Sequence, residues 1–351
     1  MSLKSASPVL VAALLFGAST PLAKVLVGDV APLLLAGLLY LSSGLGLGAV
    51  LLLRRASASG ASTSSLPRIP RAQWPWLAGA VFFGGLVGPA LLMLGLTRTD
   101  AASASLLLNV EGVLTALIAW VVFKENTDRR VVLGMLAIVA GGVLLSWKPG
   151  GASISLGAAL IVAACACWAV DNNLTRKVST SDAVLIACVK GLVAGAGNTA
   201  LAAMSGAQMP TMTVVGLAAV VGFLGYGVSL ALFVVGLRTL GTARAGAYFS
   251  VAPLFGVVLS LLLWPQMPEP AFWLAALLMA VGIWLHVSER HEHVHTHEPL
   301  EHSHMHRHDE HHQHEHPAGE PVTEHHGHLH RHERLTHKHP HYPDIHHRHE
   351  H

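Results

Sequence analysis

The feature that most constrains this sequence is a pair of apolar segments that occurs twice. Residues 95–145 reappear without a gap as residues 236–286, with Val110 aligned to Val251. Each copy has a polar hinge, a long apolar run, a loop and a second apolar run. About 20 helical residues at 1.5 Å each cross roughly 30 Å of hydrocarbon. The sequence therefore predicts a membrane helix pair that is used twice.

Apolar runs of spanning length occur five times in each half of the chain. An odd number of helices per repeat makes the second repeat enter the membrane from the opposite side, which is typical of secondary transporters. We therefore predict an all-α membrane protein with ten transmembrane helices in two inverted five-helix repeats, residues 1–147 and 148–287, followed by a disordered tail at 288–351. The predicted spans are Ser7–Val27, Ala31–Leu53, Trp74–Leu96, Ala101–Phe123, Val131–Trp147, Ser153–Thr175, Ala183–Ser205, Thr213–Leu237, Thr242–Trp264 and Ala271–Val287.

The charged residues predict the orientation of these spans. If the N-terminus is cytoplasmic, twelve Lys and Arg residues lie on the cytoplasmic side, and only Arg98 and Lys148 lie opposite. The positive-inside rule then predicts that both termini are cytoplasmic. The net charge of +2 is too small to indicate a nucleic-acid partner.

Glu111 is the main candidate for a functional group within the spans. An ionised carboxylate near the middle of a span costs roughly 2.5–3.5 kcal/mol, so Glu111 must face a wet cavity, take a partner or bind a proton. Thr115 lies one turn later on the same face, and Asn109 lies two residues earlier. Two interpretations stay open: cation binding or proton coupling, and a hydrogen bond that only pins two helices.

Three further residues complete the candidate site in the membrane. Lys190 lies within the seventh span and could be the counter-charge of Glu111. Cys167 and Asp171 lie one turn apart in the sixth span, where a thiol and a carboxylate could bind a transition metal. The alternative is that Cys167 is an inert membrane cysteine.

The tail contains the most specific signal in the chain. All 25 histidines lie at or after position 286, whereas few aliphatic residues are present that could form a core. Imidazole binds nickel, cobalt, copper and zinc, and histidines two apart on a flexible chain can chelate one ion. A polar tail that responds to pH is the alternative. The candidate metal ligands are His291, His293, His295, His297, His302, His304, His306, His308, His311, His312, His314 and His316.

The membrane part has no Gly-rich phosphate loop, no nucleophile elbow and no histidine paired with a catalytic carboxylate. We therefore predict that the protein is not an enzyme and carries no ATP-hydrolysing site of its own. No permanently bound cofactor is expected.

Residues 109–120, which read Asn-Val-Glu-Gly-Val-Leu-Thr-Ala-Leu-Ile-Ala-Trp, carry a family resemblance together with Gly141-Gly142. They resemble the fourth and fifth helices of EamA-type members of the drug/metabolite transporter superfamily. The resemblance covers nearly all of residues 1–287 and implies ten helices in two inverted repeats and export of small solutes. The second repeat has Ala252 where the first has Glu111, so any acidic chemistry is asymmetric.

The histidine-rich end is similar to that of membrane proteins in bacterial nickel and cobalt resistance systems. This resemblance implies secondary-active efflux of nickel, and of cobalt as a second metal, across the bacterial inner membrane. The tail would bind these ions transiently, so divalent cations and the lipid bilayer are the expected partners, and a homodimer is left open. The alternatives are a metabolite or amino-acid exporter with a metal-sensing tail and a membrane-anchored metal buffer.

Overall fold

The computed structural model describes residues 3–57, 69–123, 129–146, 155–178, 181–240, 246, 248–287, 292–297, 300–306, 326–332 and 335–340. Contacts within the chain divide it into two units, Met1–Glu289 and Arg290–His351. The first unit is helical, and the second contains short strands.

Ten membrane helices, here α1 to α10, make up the described part of the first unit. Eight of them are long and apolar enough to cross a membrane, and the last two are shorter and also apolar. This confirms the predicted all-α membrane fold. The helices are α1 Leu3–Leu26, α2 Pro32–Ser57, α3 Arg71–Leu96, α4 in two segments (Ala101–Leu107 and Asn109–Phe123), α5 Arg129–Ser146, α6 Leu156–Arg176, α7 Ala183–Met204, α8 in three segments (Met212–Gly222, Phe223–Val228 and Ser229–Leu240), α9 Ala252–Leu263 and α10 Pro270–Val287.

Contacts between α5 and α10 show that the two repeats are related by a pseudo-twofold axis. A Cβ atom at Gly141 would lie 2.9 Å from Met279, and a Cβ atom at Gly282 would lie 2.6 Å from Ile138. In the sequence repeat, Gly141 is equivalent to Gly282 and Ile138 to Met279. Each contact is therefore the symmetry mate of the other, as an inverted repeat requires.

The second helix of each repeat meets its equivalent in the same way. A Cβ atom at Gly191 of α7 would lie 2.5 Å from the backbone nitrogen of Gly44 in α2. Such close approach of two backbones leaves no room for a side chain, so small residues define this interface, as is common in membranes.

Both repeats contain a π-helical segment at the equivalent position. It covers Val81–Val87 in α3 and Phe223–Val228 in α8. The two segments correspond in the repeat, with Gly84 equivalent to Gly225. A π-helical turn shifts the hydrogen-bond pattern and frees carbonyl groups for other partners.

The fourth helix of each repeat departs from the predicted continuous span. A turn at Leu108 separates the two segments of α4, and a turn at Ser250 and Val251 precedes α9. The ninth span was predicted as Thr242–Trp264, but the helix is Ala252–Leu263, and residues 241–245 and 247 lie outside the described residues. These turns could not be predicted from hydropathy, because the apolar run continues through them while the backbone hydrogen bonding changes locally.

The described parts of the tail form two antiparallel pairs of strands. Strand β1, Glu292–His297, pairs with β4, Leu335–Pro340, and β2, Leu300–His306, pairs with β3, His326–His332. Histidine alternates with other residues in these segments, a period of two that suits an extended backbone.

Candidate functional site

Glu111 begins the second segment of α4, directly after the turn at Leu108. A carboxylate in the first turn of a helix interacts favourably with the unpaired backbone N–H groups and the helix dipole. Its side chain is half-buried, and the amide nitrogen of Asn172 in α6 lies 2.8 Å from Glu111 Oε1. The same nitrogen is 3.4 Å from the hydroxyl of Thr115. The structure therefore brings Glu111, Thr115 and Asn172 together.

Asn173 joins the same two helices. Its amide nitrogen donates to the carbonyl of Ala169 at 2.8 Å and to that of Thr115 at 3.3 Å. Sequence reasoning did not include Asn172 or Asn173 in the candidate site. Two successive amides within an apolar helix were a usable signal, since amide side chains in membrane helices usually bond across a helix interface.

Asp171 and Lys190 form a buried ion pair between α6 and α7. Lys190 Nζ lies 2.6 and 2.7 Å from the two carboxylate oxygens of Asp171 and 3.3 Å from the hydroxyl of Thr175. That hydroxyl also donates to Asp171 Oδ1 at 2.8 Å. The suggested pairing of Lys190 with Glu111 is therefore wrong. Asp171 and Asn172 are neighbours in sequence, and α6 presents them to different helices.

The ion pair has no equivalent in the first repeat. Asp171 packs against Gly84 in the π-helical segment of α3, whereas Ser19 packs against the equivalent Gly225. Lys190 precedes Gly191 in α7, at the place where Ser43 precedes Gly44 in α2. The buried ion pair thus lies beside one of the two equivalent π-helical segments, and a serine lies beside the other.

Aromatic side chains fill the space between the two repeats. Tyr40 Oη and Trp168 Nε1 each donate to the carbonyl of Gly84 at 3.0 Å, so both use an acceptor that the π-helical turn frees. The ring centroids of Tyr40 and Tyr226 are 5.2 Å apart, and Phe16 lies 6.3 Å from Trp168 in an edge-on arrangement. Rings from four helices, two in each repeat, therefore pack together.

Asn109 and Cys165 stabilise the interruption of α4 instead of facing Glu111. The amide of Asn109 donates to the carbonyl of Leu106 at 2.9 Å and lies 3.8 Å from the sulfur of Met279 in α10. The thiol of Cys165 lies 3.7 Å from the carbonyl of Leu107. Both side chains occupy carbonyl groups at the end of a helical segment, which would otherwise be unpaired.

The described residues show no preformed metal centre. Among them, no three His, Cys, Asp or Glu side chains come together in an arrangement that could hold a metal ion. Cys167 is half-buried, and the carboxylate of Asp171, its suggested partner, is engaged by Lys190 and Thr175. In this conformation the suggested Cys167–Asp171 pair gains no support.

The predicted ligands of the tail are only partly described. Their backbone lies in β1 for His293, His295 and His297 and in β2 for His302, His304 and His306. The remaining candidates fall outside the described residues, namely His291, His308, His311, His312, His314 and His316.

Comparison with known proteins gives the family. The model of the EamA-like transporter family matches residues 4–147 and 155–288. An uncharacterized transporter of Methanothermobacter thermautotrophicus is 26% identical over 267 residues, which is 73% of this chain and 78% of that protein. A probable 4-amino-4-deoxy-L-arabinose-phosphoundecaprenol flippase subunit ArnE of Pseudomonas paraeruginosa is 44% identical over 75 residues, 21% of this chain and 63% of that protein.

A solved crystal structure shares the fold. It has a TM-score of 0.59 and 20% identity and covers 80% of this chain and 95% of its own. The family match spans both repeats, and the described helices include eight of membrane-spanning length. The chain is therefore a multi-pass membrane protein that belongs to the EamA-like transporter family.

Proposed function

We propose that this protein exports divalent transition-metal cations, nickel and also cobalt, from the cytoplasm by secondary-active transport. The observation that carries this proposal is the attachment of a tail with 24 histidines, from His291 to His351, to a transporter domain. Neutral imidazole is a strong ligand for nickel and cobalt, and the interleaved acidic residues favour the accumulation of cations.

The contacts around Glu111 suit a site through which a cation passes. Glu111, Thr115 and Asn172 can offer a carboxylate, a hydroxyl and an amide oxygen, whereas Asn172 currently presents its nitrogen. A site made only of oxygen ligands binds nickel more weakly than imidazole does. Weak binding is an advantage in a pathway, because an ion that binds too tightly cannot leave.

Charge at this site also favours a cation. Among the described residues, Lys190 is paired with Asp171, and no Lys or Arg forms an ion pair with Glu111. The carboxylate therefore depends on an amide, a proton or a transported cation to offset its charge within the membrane.

The orientation supports export. The distribution of Lys and Arg favours cytoplasmic termini in a bacterial inner membrane, so the tail would collect metal on the side from which it must be removed. Equilibrium binding to the tail supplies no energy for uphill transport, so the membrane domain must couple export to another gradient.

The experiment compares nickel content and nickel tolerance in cells that express four forms: the full protein, the protein cut after Val287, Glu111→Gln and Asp29→Asn. Asp29 is an exposed acid in the connection between α1 and α2 and serves as the matched control. A metal exporter loses most of its activity with Glu111→Gln and keeps it with Asp29→Asn. A metal buffer loses its effect on nickel tolerance when the tail is removed, and neither substitution changes that effect.

Export of a metabolite that carries an amine is the second candidate, and the packed aromatic side chains of Trp168, Tyr40 and Tyr226 favour it. Trp168, Tyr40 and Tyr226 present ring surfaces of the kind that attract organic cations. The similarity of one segment to a flippase subunit for an amino sugar is compatible with this alternative. In that case cellular nickel content stays unchanged in all four forms of the protein, and the tail acts as a metal sensor.

A further inference from the structure

The described strands of the tail place histidine opposite histidine at five positions. In the pair of β1 and β4 these are His293 with His339 and His295 with His337. In the pair of β2 and β3 they are His302 with His330, His304 with His328 and His306 with His326. The five partners in β3 and β4 were not among the candidate ligands predicted from the sequence.

One register runs through both strand pairs. Two residues separate β1 from β2, and two residues separate β3 from β4, so the positions stay in step from one strand pair to the next. A slip of one residue would break all five histidine pairs, because successive residues of a strand lie on opposite faces. Each strand has only one or two apolar residues, so hydrophobic burial gives this register little support.

The paired histidines lie close enough to share a metal ion. Residues directly opposite each other in an antiparallel pair share a face, with Cβ atoms about 4.5–5.5 Å apart, and residues two apart on a strand are about 7 Å apart on that face. Two successive pairs therefore give four imidazoles, a ligand set that suits the tetragonal coordination of nickel. Among the described residues no metal centre is preformed, so the ion would have to draw these imidazoles together.

The positions of the basic residues favour a cation on the same face. The four described strands contain one arginine and one lysine, Arg331 and Lys338. Both alternate with histidines along their strands and so belong to the opposite face, where Glu301 is the cross-strand neighbour of Arg331. Within the described strands, the face with the histidine pairs therefore has no position of fixed positive charge.

A metal ion bound between the strands would also stabilise their pairing. A two-stranded antiparallel pair is marginally stable in water, and the tail has no hydrophobic core to support it. When the ligands of one ion come from two strands, the free energy of metal binding contributes to the free energy of folding. The affinity then depends on which histidines face each other, in addition to how many are present.

We propose that the two strand pairs are histidine ladders, in which two successive cross-strand histidine pairs on one face hold one nickel ion. The ladder of β1 and β4 supplies one site, from His293, His295, His337 and His339. The ladder of β2 and β3 supplies a second site, from two of its three successive pairs. The proposal rests on the proposed function only in the choice of nickel as the ion. A flexible chelator, in contrast, needs only histidines two apart on one chain.

The test compares double variants of the second ladder that lose the same number of histidines. The paired variants remove two histidines that face each other: His302→Gln with His330→Gln, and His306→Gln with His326→Gln. Each paired variant keeps two successive pairs, so four imidazoles remain on one face.

The crossed variants combine the same four substitutions in the other way: His302→Gln with His326→Gln, and His306→Gln with His330→Gln. Only the pair of His304 and His328 then remains. Taken together, the two sets keep the same histidines two apart along the chain, so they differ only in the cross-strand register. A slip of two residues would restore a second pair, but it would put this ladder out of step with that of β1 and β4.

Equilibrium dialysis of the full-length protein in detergent against Ni²⁺ at pH 7.5 gives the number of tightly bound ions per chain. The paired variants should bind as many ions as the wild-type protein, and each crossed variant should bind one fewer. Equal binding in the paired and crossed variants would overturn the ladders, because a flexible chelator responds only to the number and spacing of its histidines.

The binding measurement is independent of transport, so the two proposals can fail separately. Equal binding in both sets would remove the ladders and leave nickel export by the membrane domain intact. A protein that exports no nickel, but whose crossed variants bind one ion fewer than the paired ones, would remove the proposed function and support the ladders.

Discussion

Two acids of the membrane domain, Asp171 and Glu111, have different hydrogen-bond partners, and neighbouring residues of α6 account for the difference. Asp171 faces α7 and is neutralised by Lys190 at 2.6 Å, whereas Asn172 faces α4 and gives Glu111 only an amide at 2.8 Å. An amide does not remove the charge of a carboxylate. Among the described residues, Glu111 is therefore an acid that accepts a hydrogen bond from an amide and has no cationic side chain in an ion pair with it.

The first prediction concerns the ion pair. Asp171→Asn or Lys190→Met alone leaves a buried charge without a partner and should lower the free energy of unfolding by about 3–5 kcal/mol. The double variant should recover most of this loss, because no unpaired charge remains. Thermal unfolding in detergent measures the three values. Asp182→Ala, which removes a helix N-cap that accepts a hydrogen bond of 2.9 Å from the backbone N–H of Leu185, is a control with an expected cost of about 1 kcal/mol.

A double variant as unstable as either single variant would show that the pair stabilises through packing and not through charge.

At the residue scale, candidate functional side chains could be predicted from the sequence more reliably than the contacts between them. Charged residues within apolar runs are visible directly, and Glu111 and Thr115 do share a face of α4. The partner of Lys190 could not be predicted, because a single sequence contains no distances between helices. Asn109 was included in the candidate site with Glu111, yet its amide lies 3.8 Å from the sulfur of Met279 in α10, since residues two apart on a helix do not face each other.

At the scale of elements, the π-helical segments connect the fold to the site. The carbonyl of Gly84 accepts from Tyr40 and Trp168, and that of Gly85 accepts from Asn198 at 2.9 Å. These bonds tie α2, α6 and α7 to α3. Hydrophobic pattern could not predict the π-helical turns, because the apolar run continues through them.

The second prediction tests the packing of this segment. Gly84→Ala would place a methyl group on the carboxylate of Asp171, so it should cost about 1–3 kcal/mol in stability and disturb the contact with Lys190. Gly216→Ala in α8 is the matched control, because its Cβ would meet nothing within 4 Å. The control should be neutral or stabilise the protein by up to about 1 kcal/mol. Equal unfolding temperatures for the two variants would contradict the close packing at Gly84.

For the whole molecule, the sequence could predict the features that follow from the length of the apolar runs and from the internal repeat. Apolar runs and the internal repeat were sufficient for the ten helices and the pseudo-twofold relation, which the swapped contacts of Gly141 and Gly282 display. For the tail, composition predicts the lack of a hydrophobic core, which is compatible with local pairing of backbone segments.

The third prediction concerns topology. Reporter domains fused at Gly60 and after His351 should both give a cytoplasmic signal, because the predicted topology puts twelve basic residues on the same side as both of these positions. A fusion at Lys148 should read the opposite side and is the internal control. A periplasmic signal at Gly60 or His351 would reverse the orientation and remove the argument for export.

The fourth prediction concerns pH. The full-length protein should bind several more nickel ions at pH 7.5 than the protein cut after Val287. This difference should disappear as the pH falls through about 6.5 towards 5, because protons compete with metal for imidazole, whose ordinary pKa is about 6.5. Equilibrium dialysis of both proteins at several pH values measures the difference. Equal binding at pH 7.5 would exclude the tail as a metal-binding segment.

The last prediction separates the work of the tail from that of the pathway. Tethering metal ligands to the transporter raises the local cation concentration but adds no driving force. Removing residues 288–351 should therefore raise the nickel concentration for half-maximal flux and leave the saturated rate nearly unchanged. Glu111→Gln should lower the saturated rate, because an amide of similar size neither exchanges a proton nor offers a full charge. Vesicle flux over a range of nickel concentrations measures both parameters, and loss of flux at saturating nickel without the tail would place the tail in the translocation pathway.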